Sequence, residues 1–225
     1  MKRSTRRLIL MSVMILWSVG TGCATSRGVL EIDIPAVKRP ETGPAFKIVS
    51  VLDSRVFEER PSKPSIPSLK HRSQIGDPAI TSRAIARKRN GYGKAMGDIL
   101  LPEGKTVMDL VRAAVTRAMN EVEIRVVNED EPDWDSARPV DVDIQQFWAW
   151  FSPGFWTVAL EFDARLRITT DLGDFRDGEG AHGYIRLKSF AADAGAWRNT
   201  IDKGLEELNT DLKQKLQQSM AQHSR

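Results

Sequence analysis

The sequence predicts an α+β fold, a mixed, largely antiparallel sheet with two amphipathic helices packed on one face, in the order ββ-α-ββββ-α. Three observations predict it. From Trp156 to Ile168 apolar and polar residues alternate almost without a break, which is the period-2 pattern of a strand with one buried face. From Val107 to Met119 the apolar residues recur at i, i+3, i+4 and i+7, as on a helix with one buried stripe. After the last strand, Trp197, Ile201, Leu205, Leu208, Leu212 and Leu216 form a second such stripe. One-sided strands and one-sided helices bury their apolar sides against each other, as helices covering one face of a sheet.

The chain begins with a segment that is not part of this pattern. Lys2, Arg3, Arg6 and Arg7 precede an apolar run from Leu8 to Val19, which is followed by Gly20, Thr21, Gly22 and Cys23. A helix crossing a bilayer needs about 20 apolar residues. This run is shorter and suits the apolar core of a signal peptide behind a basic start. Small residues directly before the only cysteine resemble the lipobox of bacterial lipoproteins, although Gly20 stands where that family usually carries an aliphatic residue. The resemblance implies that residues 1–22 are a signal peptide and that Cys23 becomes the first residue, acylated on its thiol (palmitate) and its new amino group. Several acyl chains on one residue anchor stably, whereas one chain binds only marginally. Ala24, rather than Asp, follows the cysteine, and by analogy this places the anchor in the outer membrane, with the protein on the periplasmic face. The alternative is ordinary secretory cleavage that leaves Cys23 as a free thiol or removes it.

Residues 23–28 then read as a tether, and 29–225 as one periplasmic domain, long enough to bury a core. With a single cysteine, no internal disulfide is possible. The basic isoelectric point belongs largely to the signal segment, because the remainder carries 29 cations and 30 acids. That balance excludes a generally nucleic-acid-binding chain. The charge is uneven, however. Residues 60–94 hold nine cations and one acid, Asp77, while acids gather between Glu121 and Asp143. Such asymmetry describes either a solvated loop beside an acidic face or a contact surface.

Taken in order, Val29 to Val37 alternates loosely and reads as a strand ended by prolines. Phe46 to Leu52 reads as a second strand, closing on Asp53-Ser54-Arg55. Residues 58–78 contain Pro61, Pro64, Pro67 and Pro78, which oppose regular structure. A helical turn or two is expected from Ile80 to Ala86. The whole stretch 58–105 reads as a Pro-rich basic insertion. Thr106 is a suitable N-cap for the first helix, with Asp109 in its first turn. Glu123 to Val127 is a short strand, and Asn128 to Arg138 an acidic loop. Val140, Val142 and Ile144 start a strand whose phase breaks at Gln145-Gln146, which predicts a bulge. Ser152-Pro153-Gly154 turns it into the long alternating strand. Tyr184 to Phe190 is a further strand, and Ala194 to Ala221 the last helix.

Chemistry-bearing motifs are sparse. The histidines are His71, His182 and His223, and no paired metal-ligand spacing joins them, so no metal or other cofactor is expected. Gly91-Tyr92-Gly93-Lys94 lacks the ending of a phosphate loop. Glu161 and Asp163 share the wet side of one strand with Arg165 and Arg167, and cross-strand charge pairing accounts for them without catalysis. The expectation is therefore a protein that is not an enzyme. The most specific surface feature is aromatic: Phe147, Trp148, Trp150, Phe151, Phe155 and Trp156 crowd around one hairpin turn. Alternation prevents all of them from facing one core. Either another element covers the remainder or they form a docking surface.

The lipobox-like cysteine, the strand ending Val51-Leu52-Asp53-Ser54-Arg55, the helix from Val107, the strand from Val140 to Phe147 and the long strand before a C-terminal helix together resemble the YajG-like family of uncharacterised bacterial lipoproteins. The resemblance implies an envelope location and no catalytic residue. The expected function is that of a non-enzymatic accessory or scaffold in envelope assembly or transport, held to the outer membrane through Cys23, with an envelope protein as partner. Arg87, Lys88, Arg89, Tyr92, Trp148, Trp150 and Trp156 are the candidate partner-binding residues. The alternative is a carrier of a lipid or other amphiphile in an apolar groove between sheet and helices.

Overall fold

The computed structural model describes residues 26–90, 94–152 and 158–223, so Cys23 and the signal segment lie outside the described residues. An eight-stranded mixed sheet dominates them. Its strands are β1 (Gly28–Val29), β2 (Ala45–Asp53), β3 (Ala84–Arg89), β4 (Ala95–Leu100), β5 (Arg125–Val126), β6 (Arg138–Ser152), β7 (Val158–Thr170) and β8 (Glu179–Ser189). The helices are α1 (Pro78–Thr81), α2 (Val107–Glu121) and α3 (Ala194–His223).

The sheet is organised around β6. One of its edges pairs along its length with β7, antiparallel, and β7 pairs with β8 in the same sense. The other edge is shared, with β2 lying parallel to residues 138–144 and β3 parallel to residues 149–150. Beyond β3 come β4, antiparallel, and β1, parallel. Beyond β2 comes β5, parallel. The longest pairings are antiparallel and the shared edge supplies the parallel ones, so the α+β architecture and mixed sheet predicted from the sequence are present. The predicted bulge is present too, as a register shift between Ile144 and Gln146 against β7.

Helices α2 and α3 lie side by side on one face. Thr106 caps α2 in a full capping box: its hydroxyl accepts from the Asp109 amide while the Asp109 carboxylate accepts from the Thr106 amide. The space between helices and sheet is filled by a continuous core that includes Phe46, Phe147, Phe162, Trp197, Ile201, Leu208 and Leu212. Phe147 and Phe162 meet edge to face at 4.9 Å between ring centres. The helix α3 approaches β8 closely at two glycines. A Cβ on Gly183 would lie 2.4 Å from the Gly204 carbonyl oxygen and 2.6 Å from the Leu208 amide nitrogen, so only glycine permits this contact.

Three parts of the chain differ from the sequence expectation; one is the strand expected from Tyr184 to Phe190, which begins earlier, at Glu179, because residues 179–183 continue the ladder with β7. The strand expected over Val29 to Val37 keeps its alternation, with Leu30 and Ile32 buried, but its regular ladder stops at Val29. The helical turns expected from Ile80 to Ala86 end early. The helix α1 stops at Thr81, and Ala84 begins a strand. Residues 58–105 are therefore not wholly an irregular insertion, because they contribute the β3–β4 hairpin to the sheet. A short run such as Ala84-Ile85-Ala86 that is buried on both sides has no period to reveal it.

Candidate functional site

The second face of the sheet carries Arg87, Trp148 and Trp150 of the residues that the sequence singled out. There the Pro-rich segment forms a strap over β3, β4 and β6. Its Phe57, Leu69, Ile75 and Ile80 pack with Ala84, Leu100, Trp148 and Trp150 in a second apolar cluster. Backbone carbonyls of the strap accept from sheet side chains: Ser65 from Gln146 Nε2 at 2.8 Å and Pro64 from Trp148 Nε1 at 3.3 Å. Prolines remove donors but not acceptors, so a Pro-rich segment can be fastened through its carbonyls without forming a ladder.

Two buried charges hold the strap in place. Asp98 on β4 is 1 % exposed and accepts from the Lys70 amide at 2.8 Å and from Arg27 Nη2 at 3.2 Å. Arg27, just ahead of β1, also donates to Gln74 of the strap. Arg87, paired across from Asp98, donates to the Ser68 hydroxyl at 3.1 Å, and its Nε has no hydrogen-bond partner. Burial lowers the Arg87 guanidinium from its ordinary value, against the opposing pull of Asp98.

Beyond the strap the same face is open over β7 and β8. Register aligns Arg87, Trp150, Glu161 and Arg186 in one row across β3, β6, β7 and β8. Glu161 is 6 % exposed. Its carboxylate accepts from Ser152 Oγ at 2.5 Å and from Tyr184 Oη at 2.6 Å, with Arg186 Nε at 3.9 Å. In the neighbouring row, Asp163 meets His182 Nε2 at 3.0 Å and Arg165 at 3.1 Å. The carboxylate of Glu161 is thus satisfied by two hydroxyl donors, while Tyr184, Arg186, His182 and Arg165 are exposed beside it. The arrangement presents donors and an aromatic ring to solvent.

The hydrogen bond to Glu161, followed by burial, pushes the Tyr184 phenol up to about 12. A raised folded value means that the stabilisation from this bond is present below the ordinary tyrosine value near 10 and is lost as pH rises toward 12. Ultraviolet titration of the phenolates is expected to show one of the two tyrosines, Tyr92 and Tyr184, ionising late. Glu161→Gln is expected to move that late step down.

The sequence-predicted residues are distributed unevenly over this geometry. Trp148 and Trp150 are buried beneath the strap, which is the coverage that the sequence left open beside a docking surface. Arg87 is buried between strap and sheet, and Lys88 and Arg89 are half-buried. Cys23, Tyr92 and Trp156 lie outside the described residues. Asp98 was not singled out by sequence reading, and Arg55, Ser152 and Tyr184 entered it only as parts of a strand end, a turn and a strand, not as candidate site residues. The wet parity of Glu161 was visible along β7, but its partners come from β6 and β8.

Edge strand β8 completes the picture. Among the described residues it pairs only with β7. Asp211 of α3 accepts from the His182 amide at 2.9 Å, and Lys215 donates to the Gly180 carbonyl. Backbone groups of even-numbered residues therefore point away from β7. Side chains of α3 satisfy the edge at 180 and 182, whereas Tyr184, Arg186 and Lys188 continue it with exposed side chains up to Phe190, which is 95 % exposed.

No family model matches the chain, and no curated protein matches it. Solved structures are similar in outline. A Xanthomonas campestris protein assigned to the family model DUF330 is 14 % identical, with a TM-score of 0.49, over 88 % of this chain and 98 % of that one. An uncharacterised protein is 7 % identical, with a TM-score of 0.36, over 90 % of this chain and 99 % of that one. Neither carries the YajG-like name, and at these values neither bears on what the chain does.

Proposed function

We propose that the protein is a lipid-anchored envelope protein, held through Cys23 to the periplasmic face of the outer membrane, that acts as a non-enzymatic accessory or scaffold. Its partner-binding element is the open edge of β8. The observation that carries this reading is the placement of two edges. Where β6 ends, the strand order is β1-β4-β3-β6-β7-β8, so β1, the first strand after Cys23 in the chain, and the open edge lie on opposite sides of the sheet. At about 4.8 Å per strand step the two are separated by roughly 24 Å. An extended segment of a partner adding to residues 184–188 would gain main-chain hydrogen bonds, with Tyr184 and Arg186 contacting its side chains. The amphiphile-carrier alternative draws little support: the core fills the interior between sheet and helices, and the groove of about 590 Å³ between α2 and the β2–β5 side is lined by Arg39, Arg112, Asn120 and Glu129 as well as by apolar groups.

The test is in-cell photocrosslinking from position 188 in three forms of the chain. The unmodified background is expected to give a discrete adduct with an envelope protein. Arg186→Pro is expected to remove that adduct without unfolding the protein, because the amide at 186 points away from β7 and proline is tolerated at such an edge position. Cys23→Ser is expected to abolish both fatty-acid labelling and membrane fractionation. An adduct that survives Arg186→Pro unchanged rules out strand addition at β8, and labelling that survives Cys23→Ser rules out the anchor.

A further inference from the structure

We infer that the end of the sheet at which the tether enters rests on anionic lipid headgroups, with Lys88, Lys94 and Lys188 facing the headgroups and Phe190 entering the interfacial layer. This rests on the anchor at Cys23 proposed above. Strand direction places the parts. The strand β1 runs parallel to β4, with Gly28 beside Ile99, so the chain arrives from the end where β4 begins. Ser26 lies against Gly97, where a Cβ would come within 2.1 Å of the Ser26 carbonyl oxygen, and that carbonyl also accepts from Lys88 Nζ at 3.2 Å. Only the residues between Cys23 and Ser26 separate the anchor from this corner.

The other strands bring further groups to the same end. The strand β3 runs parallel to β6 with Arg87 beside Trp150, so β3 finishes where β6 finishes. The strand β7 starts there, Ala159 beside Ser152, and β8 finishes there, Ser189 beside Val158. The ends of β3 and β8 and the start of β4 thus gather Lys88, Arg89, Lys94, Lys188 and Phe190. Three acids near this end are already engaged. Asp98 is buried beneath Arg27 and the Lys70 amide, Glu161 is buried against Ser152 and Tyr184, and Asp193 accepts from the Ala196 amide in the first turn of α3. A cationic rim with one fully exposed phenylalanine, a few residues from an acylated cysteine, is complementary to an anionic bilayer surface. Basic groups close to such a surface are attracted within a Debye length, and aromatic rings favour its interfacial layer. The opposite end of the sheet, where β2 and β6 begin, carries the acidic loop and would face away.

The test uses the full acylated chain in nanodiscs of phosphatidylcholine alone and of phosphatidylcholine mixed with phosphatidylglycerol. Lysine acetylation rates are read by mass spectrometry. Lys88, Lys94 and Lys188 are expected to be acetylated severalfold more slowly on the anionic discs, with the difference lost at high salt. Lys38, exposed near the start of β2, is the internal reference and is expected to be unchanged. Equal rates for the three lysines on both kinds of disc overturn the headgroup contact while leaving the anchor intact. A chain that fails to associate with either disc overturns the anchor and this inference together. A Lys94→Glu, Lys188→Glu double variant is expected to associate through its lipid yet show no difference at Lys88 between the two discs, and a difference that persists overturns the assignment of the rim.

Discussion

Arg55→Ala is expected to lower the unfolding free energy by about 3–5 kcal/mol, the range seen when one partner of a buried ion pair is removed. The reason is the place that Arg55 occupies. Its side chain is fully buried where β2 ends and β3 begins along the shared edge of β6. It forms a two-pronged pair with Asp53, Nε and Nη2 each 2.7 Å from a carboxylate oxygen. It also donates to the carbonyls of Ala84 at 2.7 Å, Phe147 at 3.1 Å and Thr81 at 2.9 Å. Those three carbonyls belong to the end of α1, to β3 and to β6 just past the bulge, so a single guanidinium bridges the junction of three elements. Removing it leaves Asp53, which is 16 % exposed, with the Arg55 backbone amide as its remaining donor, and takes the guanidinium away from three buried carbonyls, each lost partner costing about 1–3 kcal/mol before relaxation. Arg55→Lys keeps the charge but lacks the planar fork, and is expected to recover only part of the loss. Urea unfolding followed by circular dichroism measures both. A loss below about 1 kcal/mol for Arg55→Ala contradicts the bridging role.

Asp98→Asn is expected to destabilise by a similar amount, about 3–5 kcal/mol, and to do so unevenly across the structure. The carboxylate is the acid that Arg87 faces across β3 and β4 and that receives Arg27 and the Lys70 amide. An asparagine keeps one acceptor but turns a donor toward guanidinium groups and leaves the positive charge of Arg87 uncompensated. The strap should loosen before the sheet does, because its contacts to Asp98, Gln146 and Trp148 are its fastenings, whereas the sheet is held by its own ladders. Limited trypsin digestion is expected to cut Asp98→Asn after Lys70 and Arg72 severalfold faster than the unsubstituted protein. An unchanged cleavage rate with an unchanged melting midpoint would show that Asp98 does not secure the strap. Because Arg27 reaches both Asp98 and Gln74, the same substitution is expected to free the root of the tether.

These two residues also show where sequence reasoning stops. The alternation in β7 and the stripes of α2 and α3 were legible because a repeat along the chain records which side is dry. The bulge at Gln145-Gln146 was legible because it breaks such a repeat, and the cap at Thr106 because it is local chemistry. Arg55 and Asp98 carry no such record. Arg55 is one charged residue just past an apolar run and Asp98 is one inside an apolar run, and what Arg55 binds lies 26 or more residues away in the chain for every contact except those with Asp53. The β3–β4 hairpin was hidden for a related reason, since a short strand covered by the strap on one side and the core on the other shows no alternation.

The sequence by itself determined the α+β class, the helical stripes, the long hairpin and the basic, apolar and cysteine-bearing start, because periodicity and local chemistry are written along the chain. Only the tertiary structure decided that the Pro-rich segment is a strap, that Trp148 and Trp150 lie beneath it, and that β8 is an open edge on the side away from the tether. Those outcomes depend on which distant segments pair across β6. Burial of the tryptophans follows from the apolar side chains of the strap finding the one sheet face that the helices leave uncovered.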